Sequence, residues 1–329
     1  MRFHALRIHQ HNAGTQAQYQ SMAVDELTPG EVLIRVQYSS INYKDALAVT
    51  GAGKILRRFP LNAGIDLAGI VETSEVMEFK QGQPVLVTGC GLSETLDGGY
   101  AEFARVPAAA VVPLPDGLTV LDAMTLGTAG FTAALAIHRL EHNGLQPGQG
   151  EVMVSGASGG VGSIAINMLA ARGYEVTAIT GRESQRDYLT SLGATQIVLR
   201  SALHMSGAPL EKTRIAGAID NVGGELLSWL IRSLRHQGSV ASIGLTGGSE
   251  LRLSVMPFIL RGVNLLGINS AATPRALREQ VWQRIAGDLK PGKLEQIRTR
   301  VVGFGELTGI MPEYLRNETH GRTVVRISG

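Results

Sequence analysis

The residues Glu151 to Arg182, EVMVSGASGGVGSIAINMLAARGYEVTAITGR, decide the reading of this chain. They open with a short apolar run, Val152-Met153-Val154, and turn through a glycine-rich loop from Ser155 to Gly162. Ser163 to Arg172 follows with small and apolar residues at helical spacing, Gly173 ends that helix, and Glu175 to Thr180 reads as a second strand. Strand, tight glycine loop, helix and strand make one βαβ unit. Gly159 and Gly162 fall where a dinucleotide-binding fingerprint needs its second and third glycines, with Ala157 in place of the first. The second glycine lacks a Cβ so that a pyrophosphate can approach the backbone; the third lets the helix pack closely on the strand. The backbone N–H groups of Ser158, Gly159, Gly160 and Val161, at the positive end of the helix dipole, are then the expected phosphate donors.

An ordinary tight turn before a helix would also explain a lone glycine fingerprint, and it is the flanking strands that favour a dinucleotide. An NAD-preferring site places Asp or Glu about 20 residues beyond the glycines, to hold the ribose 2′-hydroxyl. This chain has Thr180-Gly181-Arg182 there, with Arg186 one turn later. A guanidinium and a hydroxyl suit a 2′-phosphate, which a carboxylate would repel. NADPH is the expected cofactor, and a solvated loop arginine is the alternative for Arg182.

With 329 residues the chain can bury a large core, and its length suggests two domains. The composition, 44% hydrophobic and 18% charged, is that of a globular protein. The net charge is only +2, no basic run resembles a nucleic-acid arm, and aromatics are 5%, so a nucleic-acid partner is not expected. The beginning, MRFHALRIHQHN, has no apolar core of a signal peptide, and no apolar run is long enough to span a bilayer. The single cysteine, Cys90, excludes an intramolecular disulfide and any multi-cysteine zinc site; it reads as a small packed residue. A reducing cytoplasm and no membrane partner are expected.

Residues 1 to about 115 read as β-rich, with strands expected at 31–38, 65–72, 84–88 and 100–106. Helical patterns follow at 121–127 and 128–140, then the linker Leu145-Gln146-Pro147-Gly148. Beyond the first βαβ unit, strands at 196–200, 217–221, 238–244 and 264–268 alternate with helices that include 183–192 and 225–234. Six strands make one complete dinucleotide-binding domain. A helix is expected at 274–289, and strands at 297–302 and 323–327 that return to the first domain.

Eight strings carry a resemblance over nearly the whole chain: SSINYKDALAVTG (39–51), FPLNAGIDLAGIV (59–71), LGTAGFTAALA (126–136), SGASGGVGS (155–163), TGRES (180–184), AGAIDNVGG (216–224), VMPFILRGVNLLGINS (255–270) and GRTVVRI (321–327). Together they resemble the quinone oxidoreductase side of the medium-chain dehydrogenase/reductase superfamily, and most closely its acryloyl-CoA reductase (NADPH) branch. The resemblance implies an α/β fold, a Rossmann doubly wound parallel sheet inserted in a GroES-like β-rich catalytic domain, with a cleft between them. The expected boundaries are 1–125 plus 272–329 for the catalytic domain and 126–271 for the NADPH-binding domain. Zinc-dependent relatives carry Cys at the end of the strand preceding Asn42 and Gly-His-Glu where this chain has Gly64-Ile65-Asp66. A catalytic zinc needs three ligands from Cys, His or carboxylate; Ile65 replaces the His and no Cys lies near Asn42, so no metal is expected.

By position the resemblance places Tyr43 at a strand end near the nicotinamide, with Ser158, Gly159, Gly160 and Val161 on the pyrophosphate. Thr180, Gly181 and Arg182 take the 2′-phosphate, Arg200 lies near the adenine end, and Leu245, Ile259, Ser270 and Asn317 line the rest. The alternatives are a packing role for Tyr43 at the barrel edge and plain core for Leu245 and Ile259. Asp45 and Asp66 suggest no role beyond capping a turn. The expected activity is hydride transfer from NADPH to a short 2-enoyl-CoA, acryloyl-CoA first, with Tyr43 as the proton donor and water as its rival. A quinone or general enone reductase and a non-catalytic NADPH-binding protein are the other readings. Lys54 and Arg57, in the basic loop Gly53 to Arg58, and Arg322 are the candidate partners of CoA phosphates, against the alternative of a solvated charged face. The apolar last strand, 264–268, would leave an open sheet edge, so a homodimer is expected.

Overall fold

The computed structural model describes residues 1–12, 14–205 and 207–328. The chain forms two compact units, Met1–Thr128 with Ala271–Trp282 and Arg298–Gly329, and Ala129–Ser270 with Gln283–Ile297. The segment Gln283–Ile297, which the expected boundaries give to the catalytic domain, belongs by its contacts to the second unit.

The first unit begins with an antiparallel hairpin, β1 (Arg2–His11) and β2 (Gly14–Ala23), followed by β3 (Val32–Ser40) and the short helix α1 (Tyr43–Thr50). Then come β4 (Leu61–Asn62), β5 (Asp66–Ser74), β6 (Pro84–Thr88), β7 (Phe103–Val106) and β8 (Val112–Pro113). The helix α2 (Val120–His142) leaves this unit. By length and composition α2 could cross a membrane, but it is largely buried in the fold and broken at Gly127 (φ 51°, ψ −154°), which makes it a core helix.

The second unit holds β9 (Glu151–Ser155), α3 (Gly160–Ala171), β10 (Val176–Thr180), α4 (Arg186–Ser191), β11 (Gln196–Leu199) and β12 (Ile215–Asp220). It continues through α5 (Gly224–Ser233), β13 (Leu234–Ser242), α6 (Met256–Arg261) and β14 (Asn264–Gly267). After α7 (Arg275–Ala286) and α8 (Leu294–Ile297), the chain ends with β15 (Arg298–Gly303), α9 (Leu307–Leu315) and β16 (Arg322–Arg326) in the first unit.

All six strands of the second unit are parallel, in the order β11-β10-β9-β12-β13-β14. That order reverses direction beside β9, where a doubly wound sheet opens its ligand crevice. β10 and β12 are buried at every position, as strands covered on both faces must be. In the first unit β2-β1-β4 make a small sheet, and a larger mixed sheet runs β15-β16-β3-β5-β6-β8 with β7 also on β3. Ile34, Val36, Ile41, Ala46, Leu67, Val87 and Val325 fill its core.

Tyr43 lies not at a strand end but at the first position of α1. Asp45 three residues after Asn42 closes the first turn, since its carboxylate accepts the Asn42 N–H at 2.8 Å. Gly51, at φ 73°, ends the helix in the left-handed conformation.

Candidate functional site

The glycine loop between β9 and α3 is shaped by close approaches. Gly156 takes φ 56°, so the tight turn falls there and not at Ala157, where the fingerprint spacing puts it. A Cβ on Gly162 would lie 2.5 Å from the Gly156 oxygen and 2.7 Å from the Ala157 oxygen; the third glycine is therefore enforced by the backbone it packs on. Gly159 caps α3, and its own N–H donates to Gly156 O at 3.0 Å, which removes it from the expected phosphate donors. The first turn of α3, from Gly160 and Val161 onward, has N–H groups with no intrahelical partner and keeps the positive end of the dipole.

Two residues with no role assigned from sequence hold the entry to this loop. Asp220, at the end of β12, accepts Ser155 Oγ at 2.6 Å and Gly223 N–H at 2.7 Å, and burial pushes its carboxyl above the usual range. Asn221 donates from Nδ2 to Ser155 O at 2.8 Å and from its N–H to Ser155 Oγ at 2.9 Å. Its own Oδ1 is buried without a hydrogen-bond partner among the described residues, an acceptor left beside the loop. The only sequence signal was their place at the end of a Rossmann strand.

At the end of β10, Thr180 is buried and accepts the Arg182 N–H at 3.2 Å. The Arg182 guanidinium donates from Nη2 to Ser158 Oγ at 3.0 Å. Hydroxyl, guanidinium and helix N-terminus thus converge, with the exposed Gly181 leaving the space between them open. Arg186 does not join them: it donates to Glu183 at 2.6 Å and 3.1 Å. Arg200 is exposed in the turn that follows β11. Leu245 and Ile259, 66% and 73% exposed, are not core residues. Leu245 lies against Gly223, close to Asn221; Ile259 is on α6 and Ser270 follows β14. Asn317, in the first unit, is exposed at φ 55° after α9.

In the first unit the polar centre is Asp66, fully buried at the start of β5. It accepts Ser40 Oγ at 2.6 Å, Asn42 Nδ2 at 2.7 Å, Thr128 Oγ1 at 2.6 Å and the Thr128 N–H at 3.0 Å. Hydroxyl, amide and backbone donors occupy the carboxylate, and none of them is a zinc ligand. Asp66 thereby caps the part of α2 that restarts after Gly127. Asp45, also fully buried, accepts Asn42 Nδ2 at 3.2 Å and the Ile65 N–H at 2.9 Å besides the Asn42 N–H. Burial, and then the neighbouring Asp66 charge, pushes its carboxyl up to about 7.

Arg322 corrects a sequence expectation. It is only 3% exposed and cannot meet a CoA phosphate. It donates to Thr125 O at 3.0 Å, Ile41 O at 2.9 Å, Asn42 Oδ1 at 3.1 Å and Ser40 Oγ at 2.7 Å, and lies 3.9 Å from Asp66 Oδ2. Its place in a C-terminal strand gave no hint of which face it occupied. Lys54 and Arg57 are exposed in the loop after α1, where the Arg57 N–H donates to Glu94 O at 2.8 Å. Tyr43 is 41% exposed, and its hydroxyl has no hydrogen-bond partner among the described residues.

Residues 28–116 match the model of the alcohol dehydrogenase GroES-like domain, and residues 160–287 match that of the zinc-binding dehydrogenases. The acrylyl-CoA reductase AcuI of Ruegeria pomeroyi is 46% identical over 315 residues, 95% of this chain and 95% of that protein. The crystal structure of YhdH from E. coli K-12 with bound NADPH superposes with a TM-score of 0.95 at 45% identity, covering 98% of this chain and 100% of that one. The Bacillus subtilis protein yhfP with NAD bound gives a TM-score of 0.96 at 44% identity, covering 99% of each chain.

Proposed function

Because the chain belongs to the acryloyl-CoA reductase (NADPH) branch of the medium-chain dehydrogenase/reductase superfamily, we propose that it reduces the activated C=C of a short 2-enoyl-CoA, acryloyl-CoA to propanoyl-CoA. It is an NADPH-dependent oxidoreductase. The observation that carries the cofactor reading is the closure of Arg182 onto Ser158 beside Thr180, because a guanidinium and two hydroxyls fit a 2′-phosphate on the Rossmann loop. Gly160 and Val161 hold the pyrophosphate, and Leu245 and the Asn221 acceptor lie further along the strand ends.

Bound there, NADPH would supply a hydride for the β-carbon of the enoyl thioester. The electron pair of the C=C moves toward the thioester oxygen, and that developing charge needs positioned donors. The α-carbon then takes a proton. Tyr43 is the donor we assign, since its hydroxyl is exposed and uncommitted and can give a hydrogen bond. With Arg322 buried, recognition of the CoA phosphates rests on Lys54 and Arg57.

A homodimer through the β14 edge completes the reading. The exposed apolar residues Leu251, Val255, Met256, Leu260 and Leu265 lie on or shortly before that strand, and a second copy related by a two-fold axis would cover them. Light scattering at micromolar concentration should give twice the 34.9 kDa chain mass. The proposed compartment is the cytoplasm. The activity is tested by turnover with NADPH on acryloyl-CoA, crotonyl-CoA and a soluble quinone; faster turnover of the quinone than of both thioesters would replace this reading with a quinone reductase.

A further inference from the structure

We propose that Asn42 is the positioning residue for Tyr43, fixing the point of the backbone from which the phenol projects. The inference rests on the assignment of Tyr43 as proton donor.

The polar groups of Asn42 are all engaged. Its Nδ2 group donates to Asp66 Oδ2 at 2.7 Å and to Asp45 Oδ2 at 3.2 Å, and its Oδ1 accepts Arg322 Nη1 at 3.1 Å. The backbone N–H donates to Asp45 Oδ2 at 2.8 Å, and the carbonyl accepts the N–H groups of Asp45 at 3.0 Å and Ala46 at 3.3 Å. These partners come from α1, β5 and β16, so three elements far apart in sequence converge on one side chain. Only an amide meets this demand without adding charge, because it presents an NH2 to two carboxylates and a C=O to a guanidinium. An aspartate would crowd a third carboxylate into the same buried space.

One residue on, the situation reverses. The Tyr43 hydroxyl has no partner of its own among the described residues, so only its backbone and ring packing set its position. A buried cluster of this kind is a poor way to gain stability, since desolvating the charges offsets most of their attraction. What it does provide is a single geometry at the Asn42–Tyr43 step. A proton donor misplaced by about 1 Å loses on the order of 100-fold in rate, so this geometry matters to turnover.

The test is a double-mutant cycle with Asn42→Ala, Tyr43→Phe and the two combined, measuring kcat and KM for acryloyl-CoA, NADPH affinity by fluorescence titration, and thermal unfolding. Asn42→Ala is expected to lower kcat about 10- to 100-fold while NADPH affinity stays within about twofold. In the Tyr43→Phe background the same change should move kcat by less than about threefold, because the group being positioned is gone. An unchanged kcat in Asn42→Ala overturns the proposal. So does an equal loss in both backgrounds, or a fall in NADPH affinity that keeps step with kcat. Normal turnover of Tyr43→Phe alone would instead remove the donor assignment, and the cycle then shows whether Asn42 acts on another group. Should Asn42→Ala not fold, the smaller but still polar Asn42→Ser takes its place in the cycle, with the same outcomes for and against.

Discussion

The Arg182 guanidinium donates to Ser158 Oγ at 3.0 Å, so the residue that follows β10 is held against the loop that precedes α3. A phosphate arriving between them meets a cation already in place. Charge-assisted hydrogen bonds contribute roughly 1.5–3 kcal/mol each, which corresponds to about 10- to 100-fold in affinity. Arg182→Ala should raise the KM for NADPH by that factor and leave NADH nearly unchanged. Equal losses for both cofactors would mean that the arginine only braces the loop.

Gly162→Ala should be severe for its size. The added methyl would lie 2.5 Å from the Gly156 oxygen, where no flexible side chain can yield. Either α3 or the loop must shift, at a cost of about 1–3 kcal/mol in stability. NADPH titration and a denaturant midpoint are the two readouts; wild-type values in both would show that the loop accommodates a Cβ.

Tyr43→Phe removes only the exposed hydroxyl. Turnover of acryloyl-CoA should fall by about 100-fold, the usual contribution of a positioned acid, with NADPH affinity retained. A variant with normal turnover would place the proton source in solvent.

Arg322→Met leaves Asp66 buried without its cation. The expected loss is about 3–5 kcal/mol of stability, because an uncompensated interior charge remains. Lys54→Ala and Arg57→Ala should behave in the opposite way. They should melt like the parent and raise the KM for acyl-CoA, with the effect shrinking as salt increases. A normal melting temperature for Arg322→Met would contradict the burial argument.

Asp45 makes stability depend on pH. Its carboxyl is raised to about 7 in the fold, chiefly by burial, while facing Asp66, Tyr100 and Tyr314. The folded state therefore holds a proton that the unfolded chain releases from about pH 4 upward. This stabilisation is complete below pH 4 and declines as pH rises toward 7. Urea midpoints for the wild type and Asp45→Asn between pH 5 and 8 check it; the asparagine variant should lack this part of the slope, and identical profiles would exclude Asp45 as the source.

Much of the second unit was legible because it rests on local pattern. The apolar runs, the glycines and the helix spacing lie within a few dozen residues, and the alternation of six strands with helices followed from them; the order of those strands came only with the fold. Even so, spacing put the tight turn at Ala157, whereas the backbone turns at Gly156, because φ is not written in a motif. Arg182 was legible from its place after the second strand. Arg322 was not: a lone arginine in a strand reads as surface charge, and only its bonds to Thr125, Ile41, Asn42 and Ser40, distant in sequence, show it buried. Asp45 and Asp66 read as turn acids for the same reason. Each does cap a helix, but the shared cluster depends on contacts across most of the chain. Tyr43 reads by resemblance as a strand-end residue, whereas the Asn42–Asp45 closure makes it the first residue of α1.

The two carboxylates and their arginine also bear on the order in which the chain assembles. Asp66 and Asp45 leave the ribosome early, but the strand bearing Arg322 is among the last to be made, ~190 residues after Thr128, or ~10–40 s at ordinary rates of synthesis. Until then the larger sheet of the first unit lacks β16, and two acids must be buried without their counter-charge or stay in water. The parallel sheet of the second unit, encoded without interruption from β9 to β14, has no such wait. The insert is thus complete before its host, and a nascent chain stalled short of residue 322 should carry a protease-resistant second unit on an open first one.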